Sequence, residues 1–337
     1  MRQTRTILAT AVLGLALISA TLPDGASATT ATPFPGQVFR TSMPATASTA
    51  RATPAALTAS RPRKKRHHRT KAIMPIRRRD GFTHGAMTAP MTYHGGYLMT
   101  DPAHVYLIWY GTWSGAAAVP ILTDLIRGLG YSRYAATNST FTDSSGHRVT
   151  TDITYAGAAT VIAKHGARLS DAGVRAVVRR VVTSGRLPSD TDGIYIVLTS
   201  ADVRETSGFG SRYCGWHTRA TIGGADLKYA FVGDPSTQAP RGCASPLAGV
   251  TTPNGDAGAD AMASTLVHEI DETLTDPQLH GWYDRYFNEN ADKCAWSYGL
   301  TYPAANGASA NLHLGGRDFL VQRNWIVDQD QGCAMSA

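Results

Sequence analysis

The stretch DAMASTLVHEIDETLTDP, residues 260–277, is the one from which the rest of the chain can be ordered. It lacks glycine and holds its single proline at the end, so it reads as a helix over Asp260–Thr275 that Pro277 stops. A helix advances about 100° per residue, so residues four apart stand one above the other. His268, Glu272 and Asp276 then share a row, with Glu269 and Thr265 beside it. Met262, Leu266 and Ile270 fill the neighbouring arc, with Ala263, Val267 and Leu274 beyond. The helix is amphipathic, and its polar stripe carries one imidazole and three carboxylates.

Upstream, strand and helix signals alternate. HVYLIWY at His104–Tyr110 is a short apolar run of β-formers, hence a buried strand. Ile121, Leu122, Leu125, Ile126 and Leu129 recur at helical spacing. Thr151–Tyr155 predicts another strand. Ser170 and Asp171 cap a helix with Val174, Val177, Val178 and Val181 on one face. IYIVLT (Ile194–Thr199) and KYAFV (Lys228–Val232) are two further strands. Asn254–Asp260 reads as a turn and N-cap leading into the helix. This order predicts one domain, α/β to α+β, with a mixed sheet followed by the helix that carries the polar stripe. No nucleophile elbow, P-loop or dinucleotide fingerprint occurs. Asn138-Ser139-Thr140 is a glycosylation acceptor sequence.

The N-terminal third has a different character. Arg2 and Arg5 precede an apolar run, Ile7–Leu22, and Ala26-Ser27-Ala28 is a small-x-small cleavage signature. Residues 1–28 are expected to be a signal peptide and the product secreted or extracellular, with a cell-wall association in view. Residues 29–92 are rich in Ala, Thr, Pro and Arg, and are expected to be a disordered linker or pro-region before a domain over 93–337. Ten cations between Arg61 and Arg79, with no acid among them, exceed the whole net charge of +7. The remainder of the chain is therefore net acidic. The basic segment could touch an anionic wall polymer or a lipid surface, but in an exported protein nucleic acid is not expected as partner, nor, once the leader is removed, a membrane. Four cysteines allow three pairings. Cys214–Cys243 and Cys294–Cys333 are favoured, because each closes a local, loop-rich stretch.

His268-Glu269-x-x-Glu272 differs in one position from the zinc-peptidase pattern His-Glu-x-x-His, whose outer residues bind metal and whose inner Glu is general base. A carboxylate is an acceptable zinc ligand, and it moves the preference towards harder ions such as Ca²⁺ or Mn²⁺. His268 and Glu272 are thus candidate Zn²⁺ ligands and Glu269 the candidate catalytic base. The segment Asn288–Cys294 offers Glu289 or Asp292 as a third ligand. Asp276 continues the row, and Asp284 is a further acid nearby in sequence. The alternative is a solvated helix face with salt bridges. His217, beside Cys214, reads as a satisfied structural histidine. Zincin-type peptidases share the order of strands and helices and carry their metal on the helix after the sheet, so the fold is expected to be zincin-like.

Several segments, taken in order, resemble the phosphate-induced (EXORDIUM-like) family: HVYLIWYG from His104, YIVLTSADV from Tyr195, Gly208–Gly215, YAFVG from Tyr229, Gln238–Cys243 and PNGD from Pro253. The resemblance spans most of Val105–Cys333. It implies an extracellular, often wall-associated protein linked to growth and nutrient responses. His268–Pro277, Trp282–Asp284 and Glu289–Cys294 are similar to microbial secreted relatives with a His-Glu-x-x-Glu stretch. Plant members carry apolar and small residues where His268 and Glu269 stand. Two functions are therefore expected: a zinc-dependent hydrolase, foremost a peptidase, acting on a peptide or wall polymer, or a non-catalytic wall protein with a structural ion or none.

Overall fold

Val105, Leu107 and Trp109 alternate with Tyr106 and Ile108 along one strand, and all five are buried. Such a strand must be covered on both faces. The computed structural model describes residues 69–77, 88–163, 167–328 and 331–337, which lie within one compact unit, Lys65–Ala337. Its centre is a six-stranded sheet of β1 (Ala72–Pro75), β2 (Ala103–Tyr110), β3 (Ile153–Val161), β4 (Gly193–Thr199), β5 (Tyr213–Ile222) and β6 (Ala225–Gly233). The spatial order is β1-β5-β6-β4-β2-β3. From β6 to β3 neighbours run parallel; β5 is antiparallel to both β6 and β1. The expected single domain with a mixed sheet is what forms.

Helices α1 (Ala118–Leu129) and α3 (Ala257–Thr275) cover one face, and α2 (Asp171–Thr183) covers the other. Leu107, Ile196 and Val232 meet Leu122, Leu125, Leu266 and Ile270 on the first side. Ile108, Val197 and Phe231 meet Val174, Val178 and Val181 on the second. Ser170 caps α2 by accepting from Gly173 N, and Asp256 caps α3 by accepting from Ala259 N, as the turn at 254–260 requires.

Two readings need correction. Strand β5 is missed by sequence pattern, because YCGWHTRATI mixes aromatic, glycine and polar positions. It is nevertheless held in a hairpin with β6 through Gly223 and Gly224, both at positive φ, which a two-residue primed turn demands. The second correction concerns the segment 29–92, which is not a linker over its whole length. Residues 72–75 form edge strand β1, with Ala72 opposite His217 and Met74 fully buried. The cations around it find partners: Lys71 Nζ lies 2.6 Å from Asp171 Oδ2 and over the Tyr213 ring. Met91 is buried, and Lys293 Nζ donates to Ala89 O. A four-residue apolar run flanked by charge is too short to announce a strand on its own. The signal peptide and the remainder of 29–92 lie outside the described residues.

Both favoured disulfides are present, with Cα–Cα distances of 5.4 Å for Cys214–Cys243 and 5.5 Å for Cys294–Cys333.

A chain beginning at Arg78 should melt roughly 5–10 °C below one beginning at Lys65, since it loses a buried Met and a strand's hydrogen bonds. Equal melting temperatures by calorimetry would show that β1 adds nothing. Replacing Cys294 and Cys333 together by Ser should cost about 3–4 kcal/mol, the loop-closure contribution expected for a loop of that length. Denaturant titration of the double variant reads this directly.

Candidate metal centre

Every residue of α3 from Gly258 to Thr275 is buried, so the polar stripe faces protein and the solvated-face alternative does not hold. The helix sits close to β5 because Gly215 presents no side chain there. A Cβ at Gly215 would stand 2.5 Å from Glu269 Oε1 and 2.6 Å from Thr265 Cγ2. Two residues along β5, on the same face, His217 enters the same layer.

Two groups of potential ligand atoms converge, each within 4.8 Å: His268, Glu272 and Asp292, and His217, Glu272 and Glu289. Glu272 belongs to both. Its Oε1 lies 3.0 Å from His268 Nε2, and its Oε2 lies 3.6 Å from His217 Nε2. Asp292 Oδ1 is 3.6 Å from His268 Nε2, and His217 Nε2 is 2.8 Å from Glu289 Oε2. The loop supplying Glu289 and Asp292 is fastened to the helix at several points. Asp292 N donates to Glu272 Oε1, Thr275 Oγ1 donates to Asn290 Oδ1, and Asn290 Nδ2 donates to Asp271 O. The Cys294–Cys333 bridge anchors its far end.

The other acids have different partners. Asp276 Oδ2 lies 2.7 Å from Arg69 Nη2, which is also 2.9 Å from Glu289 Oε1. The Arg69 guanidinium lies over the rings of Tyr283 and Phe287. Asp271 accepts from Tyr134 Oη and Asn138 Nδ2; Asn138, of the acceptor sequence, is fully buried in the fold. Asp284 accepts from the backbone N–H groups of Tyr286 and Asn288 and faces Lys293, a structural turn.

The electrostatics record too much negative charge for the cations present. Burial pushes the carboxyls of Glu269, Glu289 and Asp276 well above the usual range, and neighbouring carboxylates add to it. Asp292 is pushed up to about 6 by burial and by Glu272. Burial alone would raise Glu272, but the imidazoles of His268 and His217 outweigh it and hold it low. Burial disfavours a charged ring at both histidines. It prevails at His217, which is lowered, and loses at His268, which Glu272 and Asp292 carry well above its ordinary value.

The residues fit a divalent ion. Both Glu269 oxygens and Glu272 Oε2 are buried without a hydrogen-bond partner. Such atoms cost free energy unless something binds them. The donors, imidazole and carboxylate, suit zinc and also manganese. Of the residues singled out from sequence, His268, Glu272 and Asp292 come together. Glu289 stands with His217 instead, Asp276 with Arg69, and Glu269 against Gly215. Sequence reasoning missed His217 and Arg69. The Gly-x-His alternation at Gly215 and His217 carried the first signal, once β5 is recognised as a strand. Nothing distinguished Arg69 from the other cations around it.

The family model for the "Phosphate-induced protein 1 conserved region" matches residues 91–334. Protein EXORDIUM-like 5 of Arabidopsis thaliana is 30% identical over 273 residues, 70% of this chain and 75% of the relative. Protein EXORDIUM-like 3 of the same plant is 30% identical over 271 residues, 70% of this chain and 80% of the relative. Protein PHOSPHATE-INDUCED 1 of Nicotiana tabacum is 28% identical over 268 residues, 68% and 83% of the two chains. No solved structure gives a significant match. With matches of this extent, the chain belongs to the phosphate-induced (EXORDIUM-like) protein family.

Proposed function

We propose that the chain is a secreted metal-dependent hydrolase, foremost a peptidase, with Zn²⁺ held by His268, Glu272 and Asp292. The observation that carries this reading is Glu269. It adjoins the ligand His268, is fully buried, and keeps both carboxyl oxygens free of hydrogen bonds. Burial pushes this carboxyl well above its ordinary value, and neither oxygen is committed to a hydrogen bond, so it is free to exchange a proton with a bound water. A helix bearing His-Glu-x-x-Glu beneath a mixed sheet supports the zincin-like comparison, with Glu272 in place of the second imidazole. Mn²⁺ and Ca²⁺ are the alternative ions.

A bound ion supplies Lewis acidity towards a carbonyl oxygen. Glu269 takes the proton of the attacking water and delivers it to the leaving group. His268, Glu272 and Asp292 would hold that ion together, their donor atoms already facing one another. A cleft of about 810 Å³, lined by Arg69, Tyr97, Thr218, Gln278, His280 and Tyr283, adjoins the centre at Arg69. Its mixed polar and aromatic lining suits an extended peptide or a wall polymer. Secretion rests on the leader over residues 1–28. Among the described residues, no helix is long and apolar enough to cross a membrane.

A second reading, a non-catalytic wall-associated protein with a structural ion, is favoured by one observation. All the proposed ligand residues are buried, and Arg69, which lines the cleft, is ion-paired to Glu289 and Asp276.

Glu269→Gln separates the two. Metal content and melting temperature should stay near wild type, while peptide hydrolysis falls at least 100-fold. A wild type that holds metal tightly yet cleaves nothing in a peptide and ester library leaves the structural reading. N-terminal sequencing of protein from the culture medium should begin at Thr29; material beginning at Met1 would refute the leader.

A further inference from the structure

Glu272 lies between two imidazoles and turns a different oxygen to each. Oε1 faces His268 and Oε2 faces His217. A carboxylate in this position joins two ligand sets: His268 and Asp292 on one side, His217 and Glu289 on the other. We infer that the centre holds two divalent ions, with Glu272 bridging them and His217 and Glu289 completing the second position. This rests on the metal reading above and adds to it an ion, a bridge and a second imidazole.

Three further observations support the pair. Glu272 Oε2, the oxygen on the His217 side, is fully buried and has no hydrogen-bond partner. The carboxylates are held by their other contacts as ligands usually are. Glu289 directs Oε2 to His217 and Oε1 to Arg69, while Asp292 keeps Oδ1 towards His268 and receives Glu289 N on Oδ2. The charges point the same way. Glu269, Glu272, Asp276, Glu289 and Asp292 are buried together, and among the described residues Arg69 is the one guanidinium that meets them. Such a surplus of buried carboxyls over cations is what divalent ions offset. A single shared ion is a poorer fit, because the two imidazoles fall into separate groups.

The test uses the full secreted chain loaded with Zn²⁺, dialysed, and analysed for zinc by mass spectrometry. Two zinc ions per chain are expected. His217→Ala and Glu289→Gln should each retain one, Asp292→Asn should retain one, and Glu272→Gln should lower both. A wild type with one zinc that survives His217→Ala overturns the second position and leaves the single-ion reading intact. One zinc lost from both His217→Ala and His268→Ala overturns the bridged pair in favour of a shared ion. No bound zinc or manganese overturns both readings. Should the variants fail to fold, wild type loaded with two equivalents of Mn²⁺ decides by electron paramagnetic resonance. A bridged pair gives an exchange-coupled spectrum, whereas an isolated six-line signal overturns the proposal.

Discussion

Burial of α3 on every side is the constraint from which the other features follow. An apolar helix could be buried at no electrostatic cost, but this one brings Glu269, Glu272 and Asp276 with it. Leaving such charges uncompensated costs several kcal/mol each. Compensation comes from outside the helix and from distant parts of the chain. His217 comes from a strand, Arg69 from a segment about two hundred residues upstream, and the fastening amides from the loop at 288–294. Remove the helix and none of these groups has a reason to meet.

The sheet topology is suited to this task. Its parallel part, β3-β2-β4-β6, is a hydrophobic slab covered by helices on both faces. The antiparallel hairpin extends the sheet past the end of that slab, so β5 lies beneath the polar part of α3. Gly215 then allows contact and His217 contributes chemistry from the same face. On the loop side, the disulfide at Cys294 and the bond from Thr275 to Asn290 fix Asp292, which heads a short 3-10 turn over Asp292–Cys294.

Legibility from sequence followed the physics of each element. The central strands are continuous apolar runs, and α1 and α2 show helical spacing, so all were readable. The row His268, Glu272 and the candidate acids at 289 and 292 were readable too, because helix geometry and a short loop decide them locally. What could not be read depends on tertiary contacts. β5 looks polar because one of its faces lies against the acidic helix. β1 is four residues long and gains its stability from pairing with β5. Asp276 looked like one more member of the ligand row. In the fold its carboxylate is taken by Arg69 and by the backbone N–H of Gly281.

The pairing of β1 with β5 also sets an order of events. Ala72 lies opposite His217, 145 positions later, and Arg69 meets Asp276 more than two hundred positions later. Contacts of such separation form slowly, since a long loop must close before they are rewarded. In a chain synthesised from its N-terminus, β1 has no partner until β5 has emerged, and Arg69 has none until α3 is complete. The first described segment made thus waits for partners made much later. Until they arrive the sheet edge at β5 stays open and the acidic cluster lacks its guanidinium.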